Sequence, residues 1–189
     1  MKTLYVIYFA LMLFWFINEI YYSLKLKAGK DDKKVKNKVN LTKIWILFSF
    51  CFFCPMLIAK FTYFTILKTE WILFLGIGLL VFGIFLRLSV IRFLGKYFTV
   101  ELAIKNDHKL IKHGFYRFVR HPSYTGVLLG LIGSGIFLNN WLSLIVAFLP
   151  MFLMIIDRIK TEENALIQQF GNKYLEYKKS TKKLIPFFY

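Results

Sequence analysis

The sequence predicts an all-α integral membrane protein: about five transmembrane helices, the last two a short helical hairpin, followed by a cytoplasmic C-terminal amphipathic helix. Three observations predict it. The chain is 58% hydrophobic and 20% aromatic over 189 residues, with a mean hydropathy of +0.55, above the roughly half-apolar make-up of soluble domains. The apolar residues gather into runs close to the ~20 residues that cross a hydrocarbon core. The 26 Lys and Arg, set against 10 Asp and Glu for a net charge of +16, concentrate between those runs. Such an excess points to cytoplasmic loops and anionic headgroups. No basic stretch carries the soluble scaffold that nucleic-acid binding needs, so nucleic acid is excluded as a partner.

The first run, TLYVIYFALMLFWFINEIYYSL, covers 3–24. It is too long for a signal-peptide core and lacks a small-x-small cleavage site before the lysines that follow. The second run covers 41–59 and the third 71–91. Two shorter runs, 123–138 and 141–156, are separated only by Asn139 and Asn140. At 1.5 Å per residue a 16-residue run reaches about 24 Å, short of a ~30 Å core. These two runs therefore read as a hairpin with a tight turn near the far interface. The segment 25–40 is dense in lysine, whereas 1–4 and 60–70 are not. The positive-inside rule then places 25–40 in the cytoplasm and the N-terminus outside, with 92–121 and 157–189 cytoplasmic. The chain divides into three N-terminal spans with a basic loop at 25–40 (1–91) and a C-terminal region that holds the hairpin and the remaining polar stretches (92–189). In a prokaryote the membrane would be the plasma or inner membrane, and in a eukaryote the endoplasmic reticulum.

Polar residues inside the spans are few. Asn18, Glu19 and Arg87 lie within about two turns of the predicted cytoplasmic ends, and snorkelling to the interface is the cheaper account of them. Glycines at 76, 78, 83, 126, 130, 133 and 135 offer close helix packing. Cys51 and Cys54 form a C-x-x-C inside an apolar run. With no second pair to complete four ligands, they read as small buried apolar residues, and no metal site is expected.

Two polar blocks remain. In HKLIKHGFYRFVRHPSYTG, 108–126, Pro122 suits the first turn of a helix, where its missing N–H costs nothing. Arg120 and His121 then stand before a helix N-terminus that favours an anion. Read from the residues alone, the block is either an interfacial belt anchoring a span or a ligand site. In DRIKTEENALIQQFGNKYLEYKK, 157–179, the fifth run continues as an amphipathic helix with Gly171 as its C-cap. Arg158 and Glu162 share a face and are either an ordinary i,i+4 ion pair or half of a pocket. A hairpin brings its two ends together, so Arg120, His121, Arg158 and Glu162 should converge on a zwitterionic ligand.

Together the blocks resemble the isoprenylcysteine carboxyl methyltransferase family of integral-membrane enzymes. Its pattern H-x-L-V-x-x-G-x-Y-x-x-x-R-H-P-x-Y-x-G is met by His108, Leu110, Gly114, Tyr116, Arg120, His121, Pro122, Tyr124 and Gly126. The later elements D-R-x-x-x-E-E and F-G-x-x-Y-x-E-Y are met by Asp157, Arg158, Glu162, Glu163, Phe170, Gly171, Tyr174, Glu176 and Tyr177, with an IPFF at 185–188. Coverage is the C-terminal half; the N-terminal half matches only in hydropathy. The resemblance implies S-adenosylmethionine as cofactor, contacted by His108, Lys109, Leu110, Ile111, Tyr116, His121, Pro122, Ser123 and Tyr124, with Glu162 holding a polar part of it. Glu101 falls where related enzymes place another cofactor contact. Lys109 and Ile111 depart conservatively from the family's commoner residues. Arg158 and Glu162 would be the catalytic pair, Arg158 facing the methyl-accepting substrate. No G-x-G-x-x-G occurs, so a Rossmann mode of binding is not expected.

The implied reaction is methyl transfer to the carboxylate of a membrane-embedded isoprenylcysteine or another lipid acid. A carboxylate is ionised near neutral pH and needs no general base. Three rivals share parts of the pattern. A phospholipid N-methyltransferase would show activity rising with pH, because its amine must lose a proton. An NADPH-dependent sterol-type reductase usually has more spans. A non-catalytic membrane scaffold would bind no cofactor. The membrane partners are lipids and a lipid or prenylated substrate, and the sequence carries no sign of oligomeric state.

Overall fold

The computed structural model describes residues 1–26, 41–98, 100 and 110–185, and the backbone of 33–34 and 103–104. Among them the chain forms six α-helices: α1 (Lys2–Lys25), α2 (Leu41–Phe61), α3 (Trp71–Leu94), α4 (Pro122–Phe137), α5 (Trp141–Phe170) and α6 (Asn172–Ser180). The expected all-α class holds. Helices α1, α2, α3 and α5 are long and apolar enough to cross a membrane, and α4 is a shorter apolar helix. Among the described residues one short strand pair occurs: β1 (Lys33–Lys34) runs antiparallel to β2 (Ala103–Ile104).

Helix ends follow local chemistry. Pro122 begins α4 in its first turn. Gly171, at φ 54°, ends α5 and lets the chain turn into α6, a conformation that costs glycine little. At the α4–α5 turn Asn139 takes φ 48°, one of the few non-glycine residues that tolerate it. Asn140 caps α5, its side chain accepting from Ser143 N–H at 3.0 Å. The same two asparagines hold the α2–α3 loop. Asn139 Nδ2 donates to the Leu67 carbonyl at 2.8 Å and Asn140 Nδ2 to that of Thr62 at 3.1 Å.

Lipid tails are as apolar as leucine, so helices in a bilayer associate through close packing rather than through hydrophobic exclusion. Accordingly α3 and α4 meet along their glycines. A Cβ at Gly83 would lie 2.7 Å from the Gly126 carbonyl oxygen, and one at Gly126 would lie 2.8 Å from the Arg87 amide nitrogen. Gly130 receives the Trp15 ring of α1, which in turn meets Phe48 and Phe52 of α2 edge-on. Gly83→Val should therefore cost about 3 kcal/mol or more by forcing the helices apart. Gly78 of the same helix has no atom within 4 Å of a Cβ, so Gly78→Val should be nearly neutral. Thermal unfolding in detergent compares them, and equal melting points would disprove the contact. Cys51 is buried and Cys54 half-buried, both as thiols.

The expectation that the in-span charges snorkel is corrected. Glu19 and Arg87 are 8% and 7% exposed and form a two-pronged pair, Nε to Oε1 and Nη2 to Oε2, each at 2.9 Å. Their helices bring them to the same depth, and a mutual bond satisfies both charges without reaching water. Asn18 instead donates to the Phe14 carbonyl of the preceding turn at 2.8 Å.

Candidate active site

An internal cavity of about 200 Å³ opens where the mouth of the α4–α5 hairpin meets α2, α3 and α6. Arg120, His121, Arg158 and Glu162 all reach it, so the hairpin brings its two ends together as the sequence predicts. Its apolar lining includes Trp45 and Phe48 of α2, Val127 of α4, and Met151, Met154 and Ile155 of α5.

The hairpin is closed at this end by the chain's C-terminal segment. Arg120 N–H donates to the Lys182 carbonyl at 2.8 Å and His121 N–H to that of Lys183 at 3.0 Å. Thr125 Oγ1 donates to the Leu184 carbonyl at 2.7 Å. The Arg120 guanidinium binds the Thr181 carbonyl and Glu163 Oε1, the latter at 2.8 Å, and Lys178 Nζ adds a contact to Glu163 at 3.0 Å. Burial alone would raise the Glu163 carboxyl, but the His121 ring beside it and the contacts from Arg120 and Lys178 hold it well below the carboxylate range. Arg120 is thus committed to structure.

Arg158 and Glu162 are not joined directly. The Tyr124 hydroxyl stands between them, accepting from Arg158 Nε at 2.8 Å and donating to Glu162 Oε2 at 2.7 Å. Arg158 Nη2 also donates to the Val100 carbonyl. Of the two residues, Arg158 is buried at 5% and Glu162 has a side chain 31% exposed. A hydroxyl spacer leaves each charge with bonding capacity for a ligand, which a closed ion pair would consume. The surrounding charges are spoken for: Arg87 by Glu19, and Arg120 by Glu163.

The predicted site residues distribute as follows. Leu110, Ile111, Tyr116, His121, Ser123, Tyr124, Arg158 and Glu162 line the cavity. Pro122 is buried behind the wall as the opening residue of α4. Glu101, His108 and Lys109 lie outside the described residues. The Ser123 hydroxyl is engaged by Arg87 Nη1. His121 stacks on Tyr124 with ring centroids 5.6 Å apart.

Among the described residues, two buried polar atoms make no hydrogen bond, Tyr174 OH and His121 Nε2, the latter 3.5 Å from Glu163 Oε1 without bonding geometry, and both residues line the cavity. Buried polar groups are nearly always satisfied, so a polar ligand fits this wall. Tyr174, in α6, belongs to the F-G-x-x-Y-x-E-Y motif, yet no role follows for it from sequence. Tyr177 of the same motif donates to the Tyr116 carbonyl at 2.6 Å. Burial pushes its hydroxyl up to about 12 and raises those of Tyr116 and Tyr174 as well, so all three remain neutral donors. Glu19, Arg87 and Phe98 also reach the cavity. The signal for the first two was present as opposite charges in two spans.

Among the described residues, a bundle of apolar helices surrounds a cavity lined by both charge signs and by apolar side chains, the architecture of an integral membrane protein with a polar site set among its helices. A family model for isoprenylcysteine carboxyl methyltransferases matches residues 76–168. The chain is 35% identical over 133 residues to protein-S-isoprenylcysteine O-methyltransferase B of Arabidopsis thaliana, covering 69% of this chain and 68% of that one. It belongs to the isoprenylcysteine carboxyl methyltransferase family. It is also similar to the protein-S-isoprenylcysteine O-methyltransferase of Schizosaccharomyces pombe (33% over 163 residues, 85% of this chain and 61% of that one). For that of Saccharomyces cerevisiae the identity is 36% over 123 residues, 64% of this chain and 52% of that one. A solved structure of the eukaryotic intramembrane Ras methyltransferase of this family superposes with a TM-score of 0.63 at 26% identity, over 79% of this chain and 55% of that one.

Proposed function

We propose that the protein transfers a methyl group from S-adenosylmethionine to the carboxylate of an S-isoprenylcysteine at the cytoplasmic face of the membrane. The observation that carries this reading is the Arg158–Tyr124–Glu162 arrangement in a cavity that also has apolar walls. The names of the relatives above favour an isoprenylcysteine over another lipid acid, and none of them is a phospholipid methyltransferase, a reductase or a scaffold.

When bound, S-adenosylmethionine supplies a methyl group activated by a positively charged sulfur. The residues of the chain do the rest. His121 Nε2 and Tyr174 OH offer unspent bonds to the cofactor's polar groups, with Leu110, Ile111 and Tyr116 beside them. Glu162 holds a cofactor polar group, and Ser123 contributes through its backbone, since its hydroxyl serves Arg87. His108, Lys109 and Glu101 join this set on the strength of the family pattern. Arg158 presents a planar fork of donors to the acceptor carboxylate. The isoprenyl chain lies against Phe48, Val127 and Met151. Methyl transfer needs alignment and a dry site rather than proton traffic, and the buried walls provide both. In this reading 25–40, 92–121 and 157–189 face the cytoplasm, residues 1–91 form the lipid-facing half, and 92–189 form the catalytic half.

Calorimetric titration with S-adenosylhomocysteine, beside an NADPH control, tests the reading. Binding of S-adenosylhomocysteine alone is expected, weakened about five- to tenfold in Tyr174→Phe by loss of one hydrogen bond. No binding, or binding of NADPH, would overturn it.

A further inference from the structure

The site just described does not use the buried Glu19–Arg87 pair, although both residues line its cavity. We propose that this pair is a positioning device for Arg158, the group that receives the acceptor; the inference rests on the methyltransferase reading. Arg87 makes two contacts beyond Glu19. Its Nη1 donates to Ser123 Oγ, and its guanidinium lies 5.2 Å from the centre of the Phe98 ring. Ser123 immediately precedes Tyr124, whose hydroxyl accepts from Arg158 Nε. Phe98 stands two positions before Val100, whose carbonyl accepts from Arg158 Nη2. One described partner of Arg158 therefore directly follows a group that Arg87 holds, and the other lies two positions beyond a second such group. Glu19 in turn is braced by Trp15 Nε1 at 3.1 Å, so the α1 helix supports the far end of the relay.

A pair that served only to fasten α1 to α3 would be a poor fastener. Desolvating two charges offsets most of their attraction, and apolar residues of similar size commonly do as well. A planar guanidinium is suited to the other task, because its fork binds a carboxylate on one edge while a third nitrogen and the ring face reach elsewhere. Glu19 also cancels the charge of Arg87. Among the described residues that leaves Arg158 as the cavity arginine without a carboxylate partner, so an incoming acceptor carboxylate meets one such cation rather than two.

The test uses Arg87→Lys, Ser123→Ala and the double variant in the full chain, with an N-acetylated S-farnesylcysteine as acceptor. Misplacing a reacting group by a fraction of an ångström to an ångström slows chemistry, so each single variant should lose about ten- to a hundredfold in kcat. S-adenosylhomocysteine affinity, read by calorimetry, should stay within about threefold of wild type. Because both variants cut the same link, the double should be no slower than the worse single; independent sites would instead multiply their losses. Ser123→Ala removes one oxygen and keeps the ion pair, so it reports on positioning even where Arg87→Lys folds poorly. Wild-type kcat in Ser123→Ala, multiplied losses in the double, or a parallel fall in S-adenosylhomocysteine affinity would each overturn the proposal. A wild-type protein that binds S-adenosylhomocysteine but methylates no acceptor overturns the functional reading instead, and the proposal with it.

Discussion

Arg158→Ala is expected to lower methyl transfer by about a thousandfold, the scale of removing a preorganised donor at the reacting centre, while leaving S-adenosylhomocysteine affinity within about threefold of wild type. The physical reason is the division of labour around Tyr124. Arg158 Nε and Glu162 Oε2 bind opposite sides of one hydroxyl, so removing the arginine leaves the Tyr124–Glu162 bond intact. The cofactor side keeps its groups and the acceptor side loses the cavity arginine that, among the described residues, pairs with no carboxylate. Arg158→Lys should recover a part of the loss, since an ammonium restores charge but not the two-pronged geometry. Turnover with an isoprenylcysteine acceptor and calorimetry on the same preparations measure both quantities. Equal losses of turnover and cofactor affinity would show that Arg158 serves the cofactor, and the assignment of roles would fall.

Arg120→Ala should behave in the opposite way. Arg120 is 7% exposed and ties three elements together: Glu163 of α5, the end of α6 through the Lys178 carbonyl at 3.2 Å, and the Thr181 carbonyl of the C-terminal segment. Its loss leaves Glu163 buried with only part of its compensation, at a cost of about 3–5 kcal/mol. The expected result is a lower melting temperature in detergent, faster proteolysis beyond residue 180, and weaker S-adenosylhomocysteine binding as the wall around His121 loosens. A wild-type melting temperature with turnover abolished would instead place Arg120 among the groups that touch a ligand. The two arginines thus separate by measurement, although both sit in motif positions.

Much of this protein is legible along the chain because a bilayer simplifies the problem. A segment that crosses hydrocarbon must satisfy its own backbone bonds, so apolar length alone locates the helices. The boundaries predicted for the second to fifth runs fall within three residues of the observed ones, apart from the continuation of α5 to Phe170. Pro122, Gly171 and the Asn139–Asn140 turn carry their own backbone chemistry, which any reader of local structure can use. The convergence of the two polar blocks follows from hairpin topology, because consecutive helices with a two-residue turn must be antiparallel neighbours.

The remaining features depend on which side chains meet across the bundle. Asp, Glu and Arg near a membrane end look alike in sequence whether they snorkel or pair. The Glu19–Arg87 contact joins residues 68 positions apart, and it forms because α1 and α3 rotate those two side chains toward one another. The insertion of Tyr124 between Arg158 and Glu162 is of the same kind. Helical spacing made a direct ion pair available, and a hydroxyl from a different helix reached the gap at bonding distance from both. The C-terminal segment carries no periodicity to announce that its carbonyls pair with Arg120 and His121. Helix length, caps and turns are local and cooperative within a few residues. Helix rotation and depth follow from packing, here set by the glycine contact of α3 with α4. That packing turned a row of recognisable motif residues into two committed arginines and one available arginine.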